Sequence, residues 1–309
     1  MNQPRSTPLP QLLPRRAALQ LPVAFAATSL LAAYTALVAL PASAQTTNPL
    51  PRLVTLGGAI TELAYLLGAQ DQLVGTDTTS TYPEAALKTA KVGYMRQLSA
   101  EGLLSLKPQA VIATTEAGPP VVIDQIRSAG VKVELIEADH TWGEVQRKLM
   151  AVGRASGRDA QARTLQAKLD TDWAATLNVV ALSKSKKPRV LFILAHSQSP
   201  SVSGEKTAAD ALIRMIGGVN AMSGANSFNG YRPMTAEAMA SAAPDVILTS
   251  SQGVDTQGGA DSLWSRPELA LTPAFKRKAL VHMDAMKMLG FGPRLPDAVR
   301  ELHQKIVLA

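Results

Sequence analysis

The sequence contains no cysteine. That one absence excludes disulfides, thiolate metal sites, Fe–S clusters and cysteine nucleophiles together. Histidine is scarce: the four stand at 140, 196, 282 and 303, and no two have the spacing of a shared metal site. A dedicated zinc or manganese centre is therefore disfavoured. Runs of Lys and Arg and basic-aromatic patterns are missing, so nucleic acid is not expected as a partner. There is no nucleophile elbow, no Walker loop and no carboxylate pair that can be placed together, and Gly57-Gly58 is not a dinucleotide fingerprint. No catalytic set emerges, and a non-enzymatic role is expected.

What is present suits an exported globular protein. Of 309 residues, 46% are hydrophobic and 18% charged, enough to build one large or two medium domains without disulfides. Residues 1–44 differ from the rest. Arg15-Arg16 precede an apolar run from about Val23 to Leu40, and Ala42-Ser43-Ala44 stand before Gln45. This is the pattern of a secretory signal peptide cleaved after Ala44. A retained membrane anchor is the alternative, because the run is near bilayer-spanning length. The Arg pair leaves both the Sec and the twin-arginine routes open. Cleavage would leave 265 residues and a net charge of +4 in place of +7, since the leader holds three Arg and no acids.

The mature chain alternates strand and helix. Strands are expected at 52–56, 72–75, 110–113 and 131–136, with helices at 60–67, 99–106, 121–129 and 142–157. From Arg158 to Lys187 there is no Gly or Pro, and Leu165, Leu169, Trp173, Leu177 and Val180 recur at helical spacing. This reads as one long amphipathic helix dividing the chain. The alternation then restarts: strand 189–194, helices 208–216 and 236–242, strand 245–249, a Gly-rich loop at 252–259, a largely helical 267–278, strand 280–283 and a last helix 296–307. Such alternation implies mostly parallel sheets flanked by helices. The halves also echo each other. Ser99-Ala-Glu-Gly-Leu-Leu-Ser-Leu-Lys-Pro108 and Thr235-Ala-Glu-Ala-Met-Ala-Ser-Ala-Ala-Pro244 each precede a strand, and each follows a Gly-Tyr-Arg corner. The organisation expected is an α/β fold with a leader at 1–44, a Rossmann-like N-terminal lobe at 45–157, a connecting helix at 158–187 and a second such lobe at 188–309. A ligand cleft would lie between the lobes.

Several residues can carry chemistry there. Tyr94 and Arg96 are i and i+2, so an extended backbone would turn both to one side. A guanidinium beside a phenol favours phenolate, a hard oxygen ligand that suits ferric iron. The bland alternative is a loop Tyr with a solvated Arg. His196 follows a strand on the side where open α/β sheets bind ligands, and it can ligate iron or merely bond to backbone. Arg294, in Gly290-Phe-Gly-Pro-Arg294, can pair with a carboxylate or simply be exposed. Glu101 and Glu237 hold the same place in the two repeats. Each either complements a helix dipole or forms half of a matched pair for a basic partner.

The motifs Arg52-Leu-Val-Thr-Leu-Gly-Gly-Ala-Ile-Thr-Glu62, Val92-Gly-Tyr-Met-Arg-Gln-Leu-Ser-Ala-Glu-Gly102, Glu116-Ala-Gly-Pro-Pro120, Thr207-Ala-Ala-Asp210, Gly217-Gly-Val-Asn220 and Met283-Asp-Ala-Met-Lys-Met-Leu-Gly-Phe-Gly-Pro-Arg294 together resemble the periplasmic haemin-binding proteins of ABC haem importers. The likeness runs over nearly the whole mature chain. The wider group of cobalamin- and siderophore-type solute-binding proteins has two α/β lobes bridged by one long helix. The resemblance implies haem b as transported ligand, Tyr94 as axial ligand of its iron and Arg96 as support for the phenolate. His196 matches a second-lobe residue that ligates another haem in some relatives, though the loop His196-Ser-Gln-Ser-Pro200 is shorter here. Tyr231, Arg232 and Arg294 become candidates for lining the cleft or meeting propionates. Glu101 and Glu237 match acids that dock such proteins onto an inner-membrane permease dimer. A periplasmic, monomeric haem carrier is the expectation. The alternatives are a ferric-siderophore or cobalamin carrier, or a secreted haem-modifying enzyme.

Overall fold

The computed structural model describes residues 50–308 apart from 185, 198, 225 and 226. The expected leader and its cleavage site lie outside them. Among the described residues no helix is long and apolar enough to cross a membrane.

The first lobe is built on a four-stranded parallel sheet. Its strands are β1 (Leu53–Thr55), β2 (Leu73–Thr76), β3 (Ala110–Thr114) and β4 (Lys132–Ile136), in the order β2-β1-β3-β4. The central strands β1 and β3 are buried on both faces, which explains their unbroken apolar sequence. Helices α1 (Gly58–Leu66), α2 (Ala100–Ser105), α3 (Pro120–Ser128) and α4 (Trp142–Ser156) connect them. Two apolar cores result. Ile60, Leu63, Ile112 and Leu149 fill one face, and Val54, Leu103, Val111 and Ile126 the other.

Helix α5 (Asp159–Leu182) spans roughly 36 Å at 1.5 Å per residue and packs on both lobes. It meets α4 of the first lobe and α12 (Leu295–Leu308), the last helix of the second. Trp173 stacks on Trp142, ring centroids 5.1 Å apart. The helix ends at Leu182, not Lys187. Ser183 turns extended, and the lysine-rich residues up to Pro188 offer no apolar face to hold another turn. The expected stripe also needs correcting. Leu177 is exposed, while Thr176 is buried and bonds Pro296 O at 3.3 Å and Arg300 Nη2 at 2.9 Å. The stripe changes lobes between Leu169, in the first lobe's core, and Trp173, in the second's, and Thr176 continues it against α12.

The second lobe repeats the first. Strands β5 (Arg189–Leu194), β7 (Val219–Asn220), β9 (Val246–Ser250) and β10 (Leu280–Met283) are parallel, with β7-β5-β9-β10 echoing β2-β1-β3-β4. Helices α6 (Ala208–Met215) and α7 (Ala236–Ala242) belong to this repeat. Helices α2 and α7 open alike: the Ser99 hydroxyl accepts from Gly102 N, and the Thr235 hydroxyl from Ala238 N. Before the strand, Lys107 (φ 47°) and Ala243 (φ 42°) both turn left-handed in front of a proline. The sequence echo is thus structural on both sides of each helix.

Additions to the second lobe make its sheet mixed. Short strands β6 (Ser201–Ser203) and β8 (Tyr231–Pro233) pair antiparallel beside β5. Helices α8 (Ser251–Thr256), α9 (Ala260–Trp264), α10 (Pro273–Arg277) and α11 (Ala285–Leu289) fill the connections. The Gly-rich segment expected as a loop at 252–259 is α8 through Thr256, capped by the Ser250 hydroxyl accepting from Gly253 N at 2.9 Å. A side chain at Gly253 would collide with that same hydroxyl at 2.9 Å and press on Ala195 at 3.3 Å. This glycine therefore marks close packing, not a turn.

Candidate functional site

The lobes face each other across a cleft of about 820 Å³. That lies toward the upper end of the roughly 300–1,000 Å³ usual for small-molecule sites.

Tyr94 and Arg96 stand on its first-lobe wall. Their segment is pinned at both ends by backbone bonds: Val92 N to Thr76 O at 2.9 Å, Gly118 N to Met95 O at 2.9 Å, and Leu98 N to Gly118 O at 2.9 Å. Val92, Met95 and Leu98 turn into the core, which leaves Tyr94 and Arg96 outward. Arg96 Nη1 donates to the Tyr94 phenol oxygen at 2.7 Å, and Nη2 to Glu116 Oε1 at 2.6 Å. Burial works against the guanidinium's charge, but the Tyr94 hydroxyl and the Glu116 carboxylate outweigh it and hold its pKa above the usual arginine range. Arg96 is thus a fixed cation, and the phenol oxygen it touches is held in the acceptor role.

The opposite wall carries His196, Tyr231 and Lys206. His196 follows β5 and is exposed to the cleft. Tyr231 is on β8, opposite Ser203 of β6. Burial pushes its phenol up, against the opposing effects of the Thr207 and Ser203 hydroxyls and the Arg96 charge. It stays protonated near neutral pH and acts as a hydrogen-bonding phenol. Arg232 is not among the cleft-lining residues. Strand alternation sends it to the other side, where its guanidinium lies 4.4 Å from the Phe228 ring centroid.

Arg294 is also off the cleft. Its Nε donates to both oxygens of Glu62, at 2.8 and 2.9 Å, while its guanidinium stacks 4.0 Å from the Tyr82 ring centroid. The carboxylate that sequence reasoning sought in a ligand is the protein's own. Glu62 sits on α1 and is only 5% exposed, so the pair bridges the lobes inside protein. Burial raises the Glu62 pKa, Arg294 opposes the shift and Asp284 adds to it.

Three side chains of the cleft floor escaped sequence reasoning. Glu144 and Lys148, one turn apart on α4, form a buried pair at 2.5 Å. Lys148 Nζ also donates to Gly290 O at 2.9 Å and Phe291 O at 3.1 Å, across the lobe boundary. Burial pushes the ammonium's pKa down, against the pull of Glu144. The His140 backbone N–H donates to Glu144 Oε2 at 2.7 Å, and its ring packs 5.2 Å from that of Phe291. In sequence, Glu144 and Lys148 look like any solvated i,i+4 pair.

Glu101 and Glu237 are exposed and lie in the first turns of α2 and α7, at equivalent places on the two lobes. No group of three or more His, Cys, Asp or Glu among the described residues is arranged to hold a metal ion.

The profile of the periplasmic binding protein family matches residues 53–286. The chain belongs to that family. Among solved structures of the family fold, the chain is similar to the periplasmic heme-binding protein BhuT in complex with two hemes, at 44% identity and a TM-score of 0.79, over 83% of this chain and 98% of that one. The heme-binding protein RhuT from Roseiflexus sp. RS-1, in apo form, matches at 35% identity and a TM-score of 0.79, with the same coverage. Among curated relatives, the ABC transporter substrate-binding lipoprotein YvrC of Bacillus subtilis is 28% identical over 82% of this chain and 79% of its own length. A cobalamin-binding protein of Halobacterium salinarum is 30% identical over 64% of this chain and 53% of its own length.

Proposed function

We propose that this protein captures haem b in the periplasm and hands it, as a monomeric carrier without a chemical step, to an ABC permease dimer of the inner membrane. One observation carries the reading: a cleft-facing phenol, Tyr94, whose oxygen is held at 2.7 Å by a guanidinium that is itself fixed by Glu116. A ferric ion arriving in a planar macrocycle supplies the charge that ionises the phenol. Arg96 then faces the bound phenolate and stabilises it. The metal comes with the ligand.

Tyr231 has a different task. Its protonated phenol suits contact with the macrocycle or donation to it, while His196 on the same wall offers an imidazole to a second iron. Glu101 and Glu237 present one exposed carboxylate per lobe to a basic partner that straddles both. The heme-binding structures at 44% and 35% identity, matched over nearly their full lengths, favour haem over the corrin ring of the cobalamin-binding relative, of which the chain spans about half. A corrin carrier also has no use for the Tyr94–Arg96 pair.

Titration of the purified protein with haemin, followed by absorbance, tests the reading. A shifted Soret band that saturates at a whole-number ratio of iron to protein is expected. An unaltered haemin spectrum, together with saturable cobalamin binding, would overturn it.

A further inference from the structure

The charges of the cleft cancel in pairs, with one exception. Glu116 is met by Arg96, and Glu144 by Lys148. Arg232 and Arg294, the residues that sequence reasoning offered for a ligand's anionic groups, are engaged elsewhere by Phe228 and Glu62. Lys206 remains. It lines the cleft from the second lobe, is exposed, and its ammonium has no ion-pair or hydrogen-bond partner among the described residues.

Its backbone is held in an unusual shape to put it there. Lys206 has φ 56°, a left-handed conformation uncommon for residues other than glycine. A buried polar network imposes it. Lys206 N donates to Asp210 Oδ2 at 3.2 Å, and Asp210 is itself fixed by Asn220 Nδ2 at 3.0 Å and Arg214 Nη2 at 2.5 Å. On the other side, Glu205 N donates to Phe228 O at 2.7 Å. Strain that the surroundings over-determine at a cleft rim points to use there.

We infer that Lys206 is a specificity-determining residue of the cleft, pairing with a carboxylate of the bound macrocycle and selecting ligands that carry one. The inference rests on the proposed haem reading and deepens it. Ferric iron, the dianionic porphyrin ring and one phenolate sum to zero charge, so the ligand's peripheral carboxylates are the anions left to match. One unpaired ammonium serves one carboxylate, and the other stays in water. A charge-assisted hydrogen bond at a partly exposed rim corresponds to roughly a five- to tenfold change in affinity.

The test titrates wild type, Lys206→Asn and Lys206→Arg with haemin and with haemin dimethyl ester, in which both carboxylates are esterified. Asn removes the charge yet tolerates a left-handed backbone, so folding is preserved. Wild type and Lys206→Arg should bind haemin roughly five- to tenfold more tightly than the diester, and in Lys206→Asn the two affinities should converge. Equal affinities in wild type would overturn the inference. So would a preference that persists in Lys206→Asn, because the diester's disadvantage would then be steric. If neither porphyrin changes the wild-type spectrum, the haem reading itself fails and this inference falls with it; if both bind equally, only the role of Lys206 fails.

Discussion

Replacing Arg294 by Met should unlock the lobes in a way that depends on pH. Arg294 reaches both oxygens of Glu62, and that carboxyl lies almost wholly inside protein between the two lobes. Stripping the partner from a buried charge usually costs about 3–5 kcal/mol. Arg294 is about a fifth exposed, and Glu62 can take up a proton to relieve itself, so a loss of about 2–4 kcal/mol at pH 7 is expected. For a chain of this size that lowers Tm by about 5–15 °C. In wild type, burial already holds the Glu62 pKa above its unfolded value. The native state therefore binds the proton more tightly than the unfolded chain, and the associated stability is fully present at acid pH and lost as pH rises through the folded pKa. Removing Arg294 moves that folded pKa further up. The deficit of Arg294→Met relative to wild type should accordingly be smallest below about pH 4.5 and grow toward neutrality. Thermal or urea unfolding from pH 4 to pH 8 measures it directly. Measured against Glu62→Gln, which likewise lacks the titrating group, the further loss in Glu62→Gln with Arg294→Met should be flat across the window. A deficit for Arg294→Met that is constant with pH, or below about 1 kcal/mol throughout, would mean that Glu62 and Arg294 do not act as a buried ion pair.

Three further outcomes are expected. Lys148→Met leaves Glu144 buried without its cation and releases the Gly290 and Phe291 carbonyls; it should cost about 3–5 kcal/mol in urea unfolding, most of it recovered by adding Glu144→Gln. Glu101→Ala with Glu237→Ala should leave haemin titration unchanged while abolishing uptake through the permease in reconstituted vesicles. Thr235→Ala removes the α7 cap and should cost about 1 kcal/mol in thermal unfolding, with no change in haemin binding.

Much of the fold could be read from the chain, because its signals are local. The strands at 110 and 189 are apolar runs bounded by breakers, and α5 declares itself by the absence of Gly and Pro. The repeat showed even in ten-residue pieces, since Ser99 and Thr235 cap helices that must each lead into a central strand. What could not be read depends on tertiary context. Strands β6 and β8 have three residues each and exist only because they pair with each other and with β5. The Gly-rich stretch at 252 reads as a loop until Ala195 is seen packed against Gly253.

The candidate site divides the same way. Tyr94 and Arg96 share the cleft wall as expected, but by a different backbone: the chain turns at Met95 and Arg96, closed by Gln97 N donating to Tyr94 O at 2.8 Å, where an extended segment was expected. The other charged groups were not legible. Arg294 looked like a ligand-facing guanidinium, yet its partner is Glu62, 232 positions away in the chain. Glu144 and Lys148 had the spacing of a surface pair, and only burial against Gly290 and Phe291 gives them a structural task. Lys206 carried one faint signal, its place just before the Thr207-Ala-Ala-Asp210 helix start, where the capping network turns the chain left-handed.

Haem binding in this cleft turns on the bond from Tyr94 to iron. The measurement that meets it most directly is the absorption spectrum and dissociation constant of haemin with wild type and with Tyr94→Phe, side by side. Wild type should display a phenolate-to-iron charge-transfer band alongside the shifted Soret band. Tyr94→Phe should lose that band and bind roughly 100-fold or more weakly, with its thermal unfolding close to wild type. The same spectrum and affinity in Tyr94→Phe would contradict the account.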